Sequence, residues 1–284
     1  MRRHSLSHPA APERAAAAAS AAALRADVEV RELTTPDATA GAERLFRAIW
    51  QTGPRSAPVG SDLMRALAHS GNYVAGAYRG DRLIGASVAF FTDGTPATLH
   101  SHIAGVDPGV QGRHVGFALK LHQRAWALAR GIGSISWTMD PLVRRNLYFN
   151  LAKLGAEVAE YLPDHYGRMR DGINADDRSD RLLLAWPLAA ERVHAAAEGT
   201  PCPVDPGAAA LLLTMGPGGA PEPGAAEGTV LICQVPPDIT ALRTADPELG
   251  AAWRQALSIA LTGALAVGYQ VVGVDAQGDY VLAK

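Results

Sequence analysis

The chain has 284 residues, 48% of them apolar and 19% charged, and a formal net charge of -2. This composition supplies a sizeable buried core and excludes global disorder. The near-neutral charge argues against a nucleic-acid partner, which needs a basic surface to displace counterions. Cys202 and Cys233 are too few for a disulfide framework and too far apart for metal-ligand spacing. No apolar run is long enough to span a bilayer, so a cytoplasmic protein without a membrane partner is expected.

Residues 1–26 carry Arg2 and Arg3 and then run into alanine without a leucine-rich stretch. They read as a disordered or partly helical tail rather than a signal peptide. Val28–Leu33 alternates as a half-buried strand does, and Ala38–Trp50 has helical periodicity through Ala42, Leu45, Phe46 and Ile49. A short helix over Ser61–Ala68 follows. Tyr73–Tyr78 and Arg82–Phe91 flank the Arg79-Gly80-Asp81 turn as a hairpin, and a third strand is predicted over Thr98–Val106. Gly112–Arg130 is the strongest predicted helix, with a stripe from Val115 to Ala129.

Ile135, Trp137 and Met139 alternate with Ser134, Ser136 and Thr138 in a further strand. A helix over Pro141–Leu154 and strands over Ala156–Leu162 and Arg181–Trp186 complete an α+β plan. In it, antiparallel hairpins surround a strand–helix–strand crossover. The boundaries expected are thus a tail over 1–26, a main domain over 27–188, a linker with one short strand over 189–228, and a small β-α-β-β unit over 229–284. In the last, Trp253, Leu257, Leu261 and Leu265 would face the sheet.

The most informative stretch runs from Ile103 to Ala118, where a strand ends near Pro108, a glycine-containing loop follows and a long helix begins. The first amides of such a helix lack intrahelical acceptors and the helix dipole adds partial positive charge, so several N–H groups converge on an anion. Gly112 and Gly116 allow close approach.

Val106, Pro108, Gln111, Gly112 and Gly116 match, in register, motif A of the GNAT acyltransferases, V-x-P-x-x-[RQ]-G-x-G-x-[GA], which this stretch resembles. His114 stands where the middle glycine is usual, so its backbone must avoid positive φ or bear the cost. Asn146 with Lys153 and Gly155 resembles motif B, although the usual tyrosine falls at Leu151 and the usual phenylalanine at Ala156. The wider pattern around Trp137–Val143, Asn146–Leu151, Val235-Pro236 and Trp253-Arg254 resembles a little-characterised subgroup of predicted acetyltransferases.

The resemblance implies a GNAT fold with a mixed, mostly antiparallel central sheet, followed by a small C-terminal α/β unit. It also implies acetyl-CoA, or another acyl-CoA, as co-substrate. Ile103, Ala104, Val106, Gln111, Gly112, Arg113, His114, Val115, Gly116, Phe117, Asn146 and Phe149 would line the cofactor site. An N–H near Ile103 or Ala104 would meet the thioester carbonyl. Tyr148, one turn before Leu151, is either the acid that protonates the thiolate or an interior aromatic.

The base is His100 or His102, whose ordinary pKa suits proton removal, or else Asp140. The histidines could equally be hydrogen-bonded sheet residues or a His-x-His metal pair, and Asp140 a helix cap. Neither cysteine falls in the implied cleft, so direct attack by an amine or hydroxyl of a small molecule is expected. Two rivals are an acyl-CoA sensor without turnover and an interaction module in which His114 blocks the pocket. The appendage is expected either to cover the cleft or to form a homodimer interface.

Overall fold

The computed structural model of the chain describes residues 11–53, 56–167, 177–225 and 227–284. They divide into two compact units. The first holds residues up to Ile49, Gly53–Ile135 and Leu188–Ala190; the second holds Trp50–Thr52, Ser136–Pro187 and Glu191–Lys284. The boundary therefore falls inside a strand at Ile135, not near residue 188 as the sequence led us to expect. Segment 136–187 shares its core and ion pairs with the C-terminal region.

In the first unit, β1 (Glu29–Glu32), β2 (Tyr73–Arg79), β3 (Arg82–Phe91) and β4 (Leu99–Val106) pair in order, each antiparallel to the next. The helices are α1 (Ala11–Arg25), α2 (Pro36–Trp50), α3 (Ser61–His69) and α4 (Val115–Leu128). Of the apolar stripe read from the sequence, Val115, Ala118, Leu119 and Trp126 of α4 are buried, against β2, β3 and β4, while Ala129 is exposed. Gly85 of β3 makes this close approach possible. A Cβ there would sit 3.0 Å from Leu119 and 3.2 Å from Val115.

The tail, expected to be disordered or partly helical, is helical over α1. Alanine has the highest helix propensity, and Glu13 and Arg25 complement the dipole at the two ends. Ala15, Ala19 and Ala22 form a buried face, and the helix packs on α4. An alanine run carries no polar contrast, so periodicity could not show this face.

Lys120 of α4 is buried and donates to Ser101 Oγ of β4 at 3.1 Å and to Gln123 Oε1 at 3.2 Å. Burial pushes its pKa down to about 7. With an unfolded pKa of about 10.4, the unfolded chain binds more protons between these values. Stability therefore rises with pH from about 7 to about 10. We expect Lys120→Met to remove this slope and to be stabilising at pH 6. Melting temperatures of both proteins from pH 6 to pH 9 check this, and parallel curves would refute it.

The second unit continues β5 (Ser134–Met139) into α5 (Arg144–Leu147) and a π-helical turn over Tyr148–Lys153, where one continuous helix was expected. Next come β6 (Glu157–Leu162) and β7 (Arg181–Pro187), paired antiparallel. Residues 189–228 are not a linker with one strand. They form α6 (Glu191–Ala197), β8 (Ala210–Met215) and β9 (Pro221–Pro223).

β8 and β9 join β10 (Val230–Cys233), β11 (Gln270–Val274) and β12 (Tyr280–Ala283) in a five-stranded sheet of order β11-β12-β10-β8-β9. The β8/β10 pair is parallel, and the Pro-Glu-Pro strand β9 blunts one edge. The helix expected over Pro247–Val267 is α8 (Pro247–Ala266), and a short helix that was not expected, α7 (Ile239–Ala245), precedes it. Asp238 and Asp246 each cap one of them through a carboxylate. Trp253, Leu257 and Leu261 of α8 are fully buried, whereas Leu265 is half-buried. No described helix is long and apolar enough to cross a membrane.

Candidate active site

Strand β4 carries a β-bulge. Val88 pairs with Ile103 but Ala89 pairs with Ser101, so His102 is the extra residue. A bulge leaves one residue outside the ladder and re-aims its neighbours. The rings of both His100 and His102 lie against Phe90, at centroid distances of 5.3 and 5.9 Å. Ser101 faces Lys120 of α4 instead. His102 is exposed, and desolvation by the protein around it lowers its pKa below that of an ordinary imidazole, so its ring is neutral near pH 7. Ile103 and Ala104 follow at once, and Val106 ends the strand.

The loop beyond β4 is anchored through Asp107. Its carboxylate accepts from Gly109 N–H at 2.9 Å and pairs with Arg82 of β3. Gly112 has φ +80°, and His114, the N-cap of α4, has φ +62° and ψ 6°. His114 therefore adopts the left-handed conformation that the missing glycine would take, at a cost of roughly 1 kcal/mol. Its side chain makes no capping hydrogen bond.

The backbone of α4 starts with Ala118 N–H donating to His114 C=O, so the preceding amides of Val115, Gly116 and Phe117 have no intrahelical acceptor. Gln111, Gly112, Arg113 and His114 are exposed, and a Cβ at Gly112 would meet nothing within 4 Å. The turn thus offers open space, backbone donors and the Arg113 side chain, which fits a pyrophosphate. Val115 is the exception among the residues expected here. Its side chain is buried against Gly85, so only its amide is available.

Asp140, Asn146, Tyr148 and Phe149 belong to the second unit. The Asp140 carboxylate accepts from Leu142 N–H at 2.9 Å, so it does cap the turn that follows β5. It also receives Arg254 in a bidentate pair at 2.8 and 2.9 Å, and Arg243 at 2.9 Å. Burial alone would raise its pKa, but the two guanidinium groups hold it well below the usual carboxylate range. A carboxylate so stabilised is a poor proton acceptor, which argues against Asp140 as the base.

Tyr148 is half-buried at the start of the π-helical turn, with Lys153 Nζ 5.9 Å from its ring centroid. Leu151, where the resemblance places tyrosine, is 1% exposed and part of the core. Asn146 and Phe149 are half-buried.

Sequence reading missed Asn150. It takes Trp137 Nε1–H at 3.2 Å and donates to the Asn146 carbonyl at 2.8 Å, tying the turn to β5. It also missed the partners of Asp140, although Trp253-Arg254 stood within the wider resemblance. Tyr166, in the loop after β6, bonds Thr138 Oγ1 at 2.8 Å. Arg170, Asp171 and Asn174 of the same loop lie outside the described residues. Among the described residues, no group of three or more His, Cys, Asp or Glu could hold a metal ion.

No protein-family model matches the chain. No curated protein matches it either. Solved structures do. An acetyltransferase of the GNAT family from Streptococcus pneumoniae is 12% identical, with a TM-score of 0.46 over 56% of this chain and 98% of its own. The ribosomal-protein-S18-alanine N-acetyltransferase of Escherichia coli is 16% identical, with a TM-score of 0.45 over 58% and 97%. A Salmonella typhimurium protein described as an acetyltransferase, solved with acetyl-CoA, is 16% identical, with a TM-score of 0.48 over 58% and 95%. What the site can do chemically follows from its own geometry.

Proposed function

We propose that this chain is a GNAT-type acyltransferase that moves an acyl group, most simply acetyl, from CoA to an amine or hydroxyl of a small molecule. The observation that carries this reading is the turn from β4 into α4. Positive φ at both Gly112 and His114 delivers an uncapped helix terminus beside an exposed arginine. Such a terminus binds the pyrophosphate of a nucleotide through converging amides. The bulge at His102 supports it, because it interrupts the ladder where the thioester would lie.

In this mechanism the amides around Ile103 and Ala104 hold the carbonyl oxygen of the substrate as it gains charge. His102, neutral near pH 7, takes the proton from the attacking amine or hydroxyl, with His100 beside it on Phe90. Tyr148 returns a proton to the departing sulfur. Arg113, His114 and the amides of Val115, Gly116 and Phe117 hold the phosphates, and Gln111 and Gly112 shape the turn. Asp140 takes no part in proton transfer.

A second reading, an acyl-CoA sensor without turnover, is favoured by one observation. Leu151 is buried in the core at the position of the usual tyrosine. Thermal unfolding with and without acetyl-CoA tests binding, and thiol release with a panel of amines tests turnover. A shift in melting temperature with thiol release supports the enzyme, and a shift without it supports the sensor. No shift with acetyl-CoA or longer acyl-CoAs sinks both.

A further inference from the structure

The segment that carries Tyr148 is one short helical stretch of mixed type, with α5 running directly into the π-helical turn. α5 has four residues, and the turn that follows is π-helical over six. So short a piece does not hold its geometry by helix formation, which is cooperative and costly to start, and π-helical turns are rare outside sites that constrain them. Contacts from elsewhere in the unit hold it at both ends.

The contacts that impose it come from the C-terminal region of the same unit. At the entry, Asp140 is clamped by Arg243 and Arg254 from α7 and α8. The Tyr280 hydroxyl of β12 donates to the Pro141 carbonyl at 2.6 Å. One residue before β12, Asp279 Oδ1 lies 3.1 Å from Arg144 Nη2, in the first turn of α5. The Arg144 stem passes over Gly278, where a Cβ would sit 3.2 Å from its Cγ. At the exit, Cys202 N–H donates to the Ala152 carbonyl at 3.0 Å. Gly155, at φ +71°, packs against the Arg192 carbonyl of α6, leaving 3.2 Å to an added Cβ. Both ends of the Asp140–Gly155 segment are therefore fastened by residues between 192 and 280.

We propose that the C-terminal region is a positioning element for the active site: Asp279, Tyr280, Arg243 and Arg254 fix the segment that presents Tyr148, without themselves touching substrate. This rests on the acyltransferase reading, in which Tyr148 is the acid. It gives the appendage a role other than covering the cleft or forming a dimer interface. Misplacement of a reacting group by about an ångström costs up to about a hundredfold in rate, so the loss of one or two of these bonds is enough to register.

The test uses the full chain with Tyr280→Phe and Asp279→Asn, singly and together. Each removes a bond or a charge while keeping shape. Hydrogen exchange is followed by peptide across the chain, together with the acetyl-CoA Kd, kcat and KM. The expected result has three parts. Amides of 144–153 exchange about tenfold faster while those of α8 and β10 are unchanged. The acetyl-CoA Kd stays constant. kcat falls on the order of tenfold in the double variant, and Asp279→Glu restores part of it.

Unchanged exchange in 144–153, faster exchange spread over the whole C-terminal region, or faster local exchange with wild-type kcat would each overturn the proposal. A wild-type chain that neither binds nor turns over acyl-CoA would sink the acyltransferase reading instead. The exchange data would still decide whether the C-terminal region holds this segment.

Discussion

Gly116→Glu is expected to abolish the acetyl-CoA-induced rise in melting temperature while leaving the free protein as stable as the wild type, or more so. Gly116 is helical and half-buried, and its nearest neighbour to an added Cβ is Val106 Cγ2 at 3.7 Å, an ordinary contact. The substitution therefore strains nothing. Glutamate is a better helix former than glycine by several tenths of a kcal/mol, and a negative charge in the first turn of α4 suits the dipole. The same charge stands where the pyrophosphate would lie and occupies the amides it needs.

In the wild type, acetyl-CoA at about 100 times its Kd should stabilise the fold by ~2.7 kcal/mol, a rise of several degrees. Differential scanning calorimetry of both proteins, with and without ligand, reads the two effects separately. If the variant keeps its ligand shift, the cofactor does not bind at this turn and the reading of the loop fails, whatever the enzyme does.

The second large effect is on stability. Arg254→Met should destabilise the protein by about 3–5 kcal/mol at pH 7, the range for breaking a buried ion pair from one side. Arg254 is 2% exposed at its side chain and bridges Asp140 and Asp177, themselves 10% and 14% exposed. Its removal leaves two buried carboxylates to Arg243 alone. Arg243 Nη2 already serves Asp140, and its Nε lies 3.2 Å from Asp177 without hydrogen-bond alignment.

The pH dependence identifies the cause. Asp140 has a depressed pKa in the folded wild type, so its contribution is present above the ordinary carboxylate pKa of about 3.9 and lost as pH falls further. In the variant that advantage is gone, and protonation relieves the site instead. The gap in urea midpoint between variant and wild type should narrow from pH 7 to pH 4. A constant gap would assign the loss to packing rather than charge.

How far the sequence could be read depended on the range of the forces at each place. The hairpin of β2 and β3, the strand β5 and the helix α4 follow from local patterns: apolar runs about a turn glycine, the alternation of Ile135, Trp137 and Met139, and an apolar stripe. The β4–α4 turn was legible for the same reason, because the end of a strand and the start of a helix are built from contiguous residues. Helix α1 was not, since alanines on both faces leave periodicity nothing to detect. Its burial depends on the surface of α4, some hundred residues away. The strands β8 and β9 lie in glycine- and proline-rich sequence with strand propensity in one short run, and became part of a sheet only through pairing with β10.

By itself, then, the sequence determined the order of elements from β1 to β7 and the pair of histidines on β4. The tertiary structure alone decided three further things. It placed His102 on a bulge, because a bulge is a mismatch of register between two strands and belongs to neither. It bound Asp140 into ion pairs, with arginines that stand more than a hundred positions away in the chain and act through space. And it joined the C-terminal region to the segment carrying Tyr148. Buried hydrogen bonds and ion pairs between distant parts of a chain leave no periodic trace in the order of its residues.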